Sequence, residues 1–293
     1  MQPMTTEAQT VRTDDIATIL DCHRAGKFNA TRRRCQEALR HGSADTRLSY
    51  LMVCLEIHAD NTEQAFQWFL DAIASEVALL PHRTPTAADV PPAFAEMLPW
   101  DPQPQLVCHA LGSLAWDRGK MVAACLAMKA CLIHAPADVK ALLRLGDVAG
   151  HLGDHALASA CLEKALNLDP DNGAIALKLG NARNRRGELH GSLEAYHRAA
   201  RLSRDACAPR INIASTLQKL GRIAEAEEIL REILADRPGH TVTLFTLASL
   251  LLDIGRLDEA ARLFEKVVSQ DPHHAAAWLH QGHAYQRIGL VKR

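Results

Sequence analysis

The chain has 293 residues, 48% hydrophobic, 23% charged and 4% aromatic, with 33 Lys plus Arg against 34 Asp plus Glu and a formal net charge of -1. The hydrophobic fraction excludes a disordered chain, and the neutral balance argues against a protein that coats nucleic acid or an anionic membrane. So few aromatic residues argue against a β-sandwich.

No run reaches the roughly 18 apolar residues of a spanning helix, so membrane insertion is not expected. The polar start, Met1 to Asp15, lacks the apolar stretch of a secretory signal, which points to the cytoplasm. The cysteines are Cys22, Cys35, Cys54, Cys108, Cys125, Cys131, Cys161 and Cys207. They form no CxxC pair, and no Cys/His set has zinc-ligand spacing, so buried free thiols are expected and neither metal nor cofactor.

Residues 1–11 read as a disordered tail. Arg12 to Asp45 reads as two helices, with Gly26 at the turn and Thr31, Cys35 and Ala38 on the second helix. Thr46 to Leu79 repeats this with Met52, then Ala65, Phe69 and Ala72, and Asp60-Asn61 stands where the turn glycine belongs. Residues 80–104 carry Pro81, Pro85, Pro91, Pro92, Pro99, Pro102 and Pro104. The stretch is too short for a full unit, yet Phe94, Met97, Trp100 and Pro102 keep second-helix spacing. It reads as a degenerate half-repeat, with a plain linker as the alternative.

From Gln105 a strict lattice begins. Gly119, Gly153, Gly187, Gly221, Gly255 and Gly289 recur at one interval (153 − 119 = 34). Pro136, Pro170, Pro238 and Pro272 form a second column, with Arg204 in the missing place. Ala124, Ala158, Ser192, Ala226 and Ala260 form a third. Within Val139 to Asn172, Leu142, Leu145, Gly146 and Ala149 follow the i, i+3, i+4, i+7 face of one helix. Leu152-Gly153-Asp154 is a stop and turn, because glycine accepts positive φ at a helix end. Leu157, Ala158, Cys161, Leu162, Ala165 and Leu168 make a second stripe, which Asp169-Pro170 ends. Small residues such as Gly146 and Ala158 let the two helices approach closely.

With starts at Gln105, Val139, Gly173, Cys207, Thr241 and Ala275, one large-hydrophobe column holds Leu142, Leu244 and Trp278. A Leu-Gly pair appears at Leu111-Gly112, Leu145-Gly146 and Leu179-Gly180, and the second helix carries Met128, Leu162, Tyr196, Leu230 and Phe264 in one column. The pattern resembles the tetratricopeptide repeat. The resemblance covers five consecutive repeats over 105–274, two degenerate ones over 12–79, and 275–293 as the first helix of a further repeat or a capping helix. It implies an all-α, right-handed superhelical solenoid of antiparallel helix pairs. It also implies a concave surface lined by the first helices and a role in protein binding. No Gly-rich phosphate loop, GxSxG or HExxH motif is present, so an enzyme is not expected.

At about 100° per residue, repeat columns 4, 7, 8 and 11 share the packed face of a first helix, and columns 2, 6, 9 and 13 the opposite one. In the middle repeats the opposite face carries Lys140, Arg144, Asp147 and His151, then Lys178, Asn181 and Arg185, then Asn212, Ser215 and Lys219. Cations with amide groups among them suit an extended acidic peptide, since asparagine can pair with a peptide backbone through both donor and acceptor. The expected function is a non-catalytic scaffold or adaptor that binds such a peptide between Gln105 and about Gly239. The family's carboxylate-clamp pattern is not met in any three successive repeats, and only Asn212 fills the column of the asparagine ladder of O-linked N-acetylglucosamine transferases.

Other readings remain beside this one. The face could simply be solvated. The chain could be the substrate-recruiting arm of a larger glycosyl- or sulfotransferase that continues past Arg293. It could self-associate through the helix of residues 275–290, with Trp278, Tyr285 and Ile288 apolar. His273, His274, His280 and His283 read as exposed helical histidines. Arg32-Arg33-Arg34 reads as a solvated helix start rather than a nucleic-acid patch. The basic stretch Lys178 to Arg204 and the acidic stretch Ile223 to Asp236 read as complementary charge between neighbouring units.

Overall fold

A computed structural model describes residues 13–41, 43, 45–76, 85, 89–101 and 103–289. The expected N-terminal tail, much of the Pro-rich stretch and the last four residues lie outside the described residues. Sixteen α-helices, with a 3-10 turn at Leu98–Trp100, form the ordered elements, and no strand occurs among the described residues. The chain divides into two compact units, Met1–Leu168 and Asp169–Arg293.

In Met1–Leu168 the helices are α1 (Thr13–Arg24), α2 (Phe28–Arg40), α3 (Thr46–His58), α4 (Thr62–Glu76), α5 (Pro92–Met97), α6 (Pro104–Asp117), α7 (Met121–His134), α8 (Val139–His151) and α9 (His155–Leu168). They pack as α1 on α2, α3 on α4, α6 on α7 and α8 on α9. The short α5 begins at a proline, which suits a first helical turn, and buries Phe94 and Met97 completely. Phe94 stacks on Tyr50 at 5.0 Å between ring centroids and meets Phe69 at 5.1 Å, so the Pro-rich stretch supplies core side chains to α3 and α4.

Arg32 departs from the solvated reading. It donates to the Leu55 carbonyl at 3.0 Å and lies 3.2 Å from the buried Glu56, tying α2 to α3. A buried acid left without that cation would cost far more than the pair contributes.

In Asp169–Arg293 the helices are α10 (Gly173–Arg185), α11 (Leu189–Leu202), α12 (Cys207–Lys219), α13 (Ile223–Asp236), α14 (Thr241–Asp253), α15 (Leu257–Gln270) and α16 (Ala275–Ile288). They pack as α10 on α11, α12 on α13 and α14 on α15, and α16 lies on α15. One core runs through α11 to α16, with Tyr196, Leu217, Leu230, Leu251 and Phe264 buried in it.

The turn column behaves as its composition requires. Gly119, Gly153, Gly187, Gly221, Gly255 and Gly289 all have positive φ, between 67° and 84°. Asp60 takes the same conformation at φ 62°, one period after Gly26 (60 − 26 = 34). Aspartate is among the few non-glycine residues that tolerate this region, because its short polar side chain bonds locally.

The helix pairs close through a notch. A Cβ on Gly180 would stand 2.4 Å from the Tyr196 ring, and one on Gly146 would stand 3.0 Å from Leu162 Cγ. Gly112 faces Met128 in the same way, and each pair is sixteen residues apart (196 − 180 = 16). The large residue of the second helix thus enters a hole that glycine leaves in the first.

Two acids of α13, Glu227 and Glu232, reach arginines outside that helix. Glu227 meets Arg231 and Arg256 at 2.7 Å each, Arg256 meets Glu259 at 2.6 Å, and Glu232 meets Arg210 at 2.5 Å. The acids of Ile223 to Asp236 thus meet Arg210, Arg231 and Arg256, and not the basic stretch Lys178 to Arg204 with which they were expected to pair.

Gly180→Ala is expected to lower the thermal midpoint, because overpacking costs about 1–3 kcal/mol against roughly 1 kcal/mol gained in helix propensity. Tyr196→Leu in that background should restore part of it. Gly282→Ala meets no atom within 4 Å and should raise the midpoint. Calorimetry of the four proteins checks this, and a neutral Gly180→Ala would refute the notch.

Candidate functional site

The face opposite the notch carries the polar residues. On Asp169–Arg293 they form a hydrogen-bonded seam across successive first helices. Asn181 on α10 accepts through Oδ1 from Tyr196 Oη at 2.8 Å and from Asn212 Nδ2 on α12 at 3.2 Å. Burial pushes the Tyr196 hydroxyl up to about 12, against the pull of the Arg185 charge, so its proton stays in place to hold Asn181. The Asn181 amide hydrogens and the Asn212 amide oxygen keep no protein partner among the described residues.

One turn on, Asn184 donates to Thr216 Oγ1 at 2.7 Å, and Thr216 donates to the Asn212 carbonyl at 2.7 Å. Lys219 Nζ donates to Asn184 Oδ1. Gln218 donates to Asp253 on α14 at 2.7 Å. Ser215, Gln218, Lys219, Ile223, Asp253 and Ile254 line a shallow open depression. Arg185 is exposed at the end of α10, while Lys178 is half-buried.

On Met1–Leu168 the corresponding face of α8 is built around an aromatic ring. The Arg144 guanidinium lies 5.8 Å from the centroid of Trp116, on α6, and donates to Ser113 Oγ at 3.3 Å. His151 also meets Trp116, edge-on at 4.8 Å between ring centroids. Lys140 is exposed at the start of α8, and Asp147 is half-buried one turn from Arg144.

The predicted residues therefore fall into two groups. Asn181 and Asn212 touch, Ser215 and Lys219 share a depression, and Arg144 and His151 share one ring. Trp116, Asn184, Thr216, Gln218 and Tyr196 were not among the predicted site residues. Trp116 and Asn184 occupy repeat column 12, three residues beyond column 9, so a wider helical arc would have found them. Tyr196 reads as a packing residue from its column, and only its hydroxyl betrays a second use.

A different set gathers at the α7–α8 corner. His109 on α6 contacts Asp138 Oδ2 through Nε2 at 2.8 Å, and Cys131 near the end of α7 lies 3.6 Å from the same oxygen. Asp138 Oδ1 accepts from the Ala141 amide at 3.0 Å, which caps α8. A hydrogen bond from Cys108, then one from His109, pulls the Cys131 thiol down to about 6 against the effect of burial. Spacing rules read ligands from short local runs, so they pass over a set drawn from three elements.

Residues 139–172 and 217–284 match models of the tetratricopeptide repeat, the first with the same limits as the unit read from the lattice. The chain is a tetratricopeptide-repeat protein. Among solved structures, PilW, a type IV pilus biogenesis factor, is 20% identical with a TM-score of 0.57, covering 65% of this chain and 88% of that one. MamA is 22% identical with a TM-score of 0.52, covering 59% and 95%. Pseudomonas aeruginosa PilF is 16% identical with a TM-score of 0.52, covering 64% and 85%. At these identities the likeness is one of fold, the all-α tetratricopeptide class. No curated protein sequence matches the chain. In this tetratricopeptide-repeat protein no described helix is long and apolar enough to cross a membrane.

Asn181→Ala is expected to cost about 1 kcal/mol, because the Tyr196 hydroxyl loses its acceptor. Asn212→Ala should cost less, since its donor goes to an oxygen that Tyr196 already serves. Urea unfolding measures both, and the reverse order would disprove the assignment.

Proposed function

We propose that the chain is a non-catalytic interaction scaffold and that the first-helix face of α10 and α12 binds an extended, acidic peptide. The Asn181–Asn212 pair carries this reading. Two amides on successive first helices are hydrogen-bonded to each other, and the Asn181 amide hydrogens and the Asn212 amide oxygen remain to pair with the carbonyl and N–H of a peptide group. Arg185 and Lys219 flank the pair and supply the charge that favours acidic side chains. The tetratricopeptide fold supports a protein partner in general, and the cations support the acidic character. On α8 the same reading assigns Lys140 as the exposed cation at the helix start and Asp147 as the acid of that face, with Arg144 and His151 as a shelf held on Trp116.

Length-matched labelled peptides rich in Asp and Glu, in Lys and Arg, or in Ser and Thr should bind with the acidic set tightest and its affinity falling as salt rises. Arg185→Glu with Lys219→Glu should abolish that preference. Asn181→Ala or Asn212→Ala should weaken every set by about 2–10-fold, one hydrogen bond's worth. Fluorescence anisotropy reads all three, and unchanged acidic binding with unchanged salt dependence in the charge-reversed protein rules the proposal out.

A second reading, self-association through α16, is favoured by Trp278 and Leu279, which are 52% and 59% exposed on adjacent positions. Tyr285 and Ile288, by contrast, pack against the core. Light scattering over a concentration series should show mass growth that Trp278→Ser with Leu279→Ser removes, and constant monomer mass would end this reading.

A further inference from the structure

We propose that His109, Cys131 and Asp138 form a binding site for a zinc-class divalent ion at the corner between the first two full repeats. The donor atoms of the three side chains lie within 4.8 Å of one another. His109 Nε2 and Cys131 Sγ already converge on one oxygen, Asp138 Oδ2, at 2.8 and 3.6 Å. Bonds of about 2.0 Å to nitrogen and oxygen and about 2.3 Å to sulfur set tetrahedral ligands roughly 3.3–3.5 Å apart, so the sulfur already stands at ligand distance and the His109–Asp138 contact opens by about half an ångström as the ion enters.

The donor set selects the ion. Thiolate, imidazole and carboxylate together suit a borderline-soft cation, and magnesium or calcium would seek oxygen alone. One thiolate and one carboxylate carry two negative charges, and a divalent ion neutralises both. Binding is a simple exchange: the cysteine thiol gives its proton to solvent, the proton on His109 Nε2 is replaced by one on Nδ1, sulfur and Nε2 take the metal, and no electron moves.

The site is also held in place. Asp138 spends Oδ1 on the amide of Ala141, so the N-cap bond aims Oδ2 at the other two donors. Cys131 is buried and the Asp138 side chain is 14% exposed, while the His109 side chain is 29% exposed and marks the way in. Three protein ligands leave a fourth position for water on that side. The bound ion would pin α6 and α7 of one repeat to the start of α8 in the next, adding to the nearest-neighbour coupling on which a solenoid depends.

Cobalt(II) titration of the full chain tests this, because a thiolate ligand gives a charge-transfer band that oxygen and histidine ligands do not. One equivalent should produce the band with tetrahedral visible absorption, and zinc should bleach it and raise the thermal midpoint. Cys131→Ser should abolish the band, while Cys161→Ser should leave it intact. Asp138→Asn keeps a good N-cap but loses the carboxylate, and with His109→Gln it should weaken binding by more than the roughly 10–100-fold that an outer-shell partner is worth. Cobalt bound only at the histidines of α16 would give no band. Absence of the band, its survival in Cys131→Ser, or undiminished affinity in Asp138→Asn and His109→Gln would each overturn the proposal.

Discussion

Two helices can share a wall only where one of them is thin. In this chain the thin place is a small residue on the first helix, and the second helix fills it sixteen positions later with Met128, Leu162 or Tyr196. Apolar burial drives the pairing, at about 25 cal/mol per Å², but burial alone has no direction. The notch gives it one. It sets the rotation of each first helix about its own axis, and that rotation decides which side chains remain to meet a partner. Where the column holds Ala214 and Ala248 instead of glycine, Leu230 and Phe264 stand opposite in sequence, and all four are buried in one core. In those two pairs the separation accommodates a methyl group.

The seam on α10 and α12 follows from this placement. Tyr196 fills the notch with its ring, and its hydroxyl emerges beside Asn181. One residue therefore closes the helix pair and fixes an amide on the exposed face. An asparagine held in this way loses little freedom when a ligand arrives, which lowers the entropic cost of binding. Lys219 is treated likewise, because its contact with Asn184 uses one of three donors and leaves the charge on the surface. Arg144 is the opposite case. Its guanidinium is engaged by Trp116 and Ser113, so its charge is at least partly a packing device.

Much of the fold was legible because a period of 34 residues repeats three independent columns, and each column has a single physical cause. Glycine stands where φ must be positive, proline where a helix must stop, and a small residue where helices touch. The turn at Asp60 was legible by position, though not by residue type. The site was less legible. Helical geometry assigns a residue to a face, and Asn181 and Asn212, like Ser215 and Lys219, do come together in the structure. It does not say which neighbours on that face bond to each other, since this depends on the offset between adjacent repeats. Tyr196, Asn184 and Trp116 were missed for that reason. Arg32 was missed because a run of three arginines at a helix start resembles a solvated surface until a buried acid is found across from it.

The α7–α8 corner repeats elsewhere on the lattice with different chemistry. At two places the residue just before a first helix caps that helix and reaches the fifth position of the preceding first helix, 29 residues earlier (138 − 109 = 29). At Asp138 and His109 the contact is a hydrogen bond of 2.8 Å. At His274 and Phe245, also 29 apart, it is a ring stack of 4.9 Å. His274 still caps α16 by accepting from Ala277. The repeat geometry thus supplies a slot with one backbone duty, the cap, and one free direction toward the preceding repeat. Hydrophobic partners turn that direction into packing. Only where a histidine, a cysteine and an aspartate fall into the slot together does it become a set of metal donors. Its place is dictated by the architecture and its chemistry by three side chains, which is why no local run of sequence announces it.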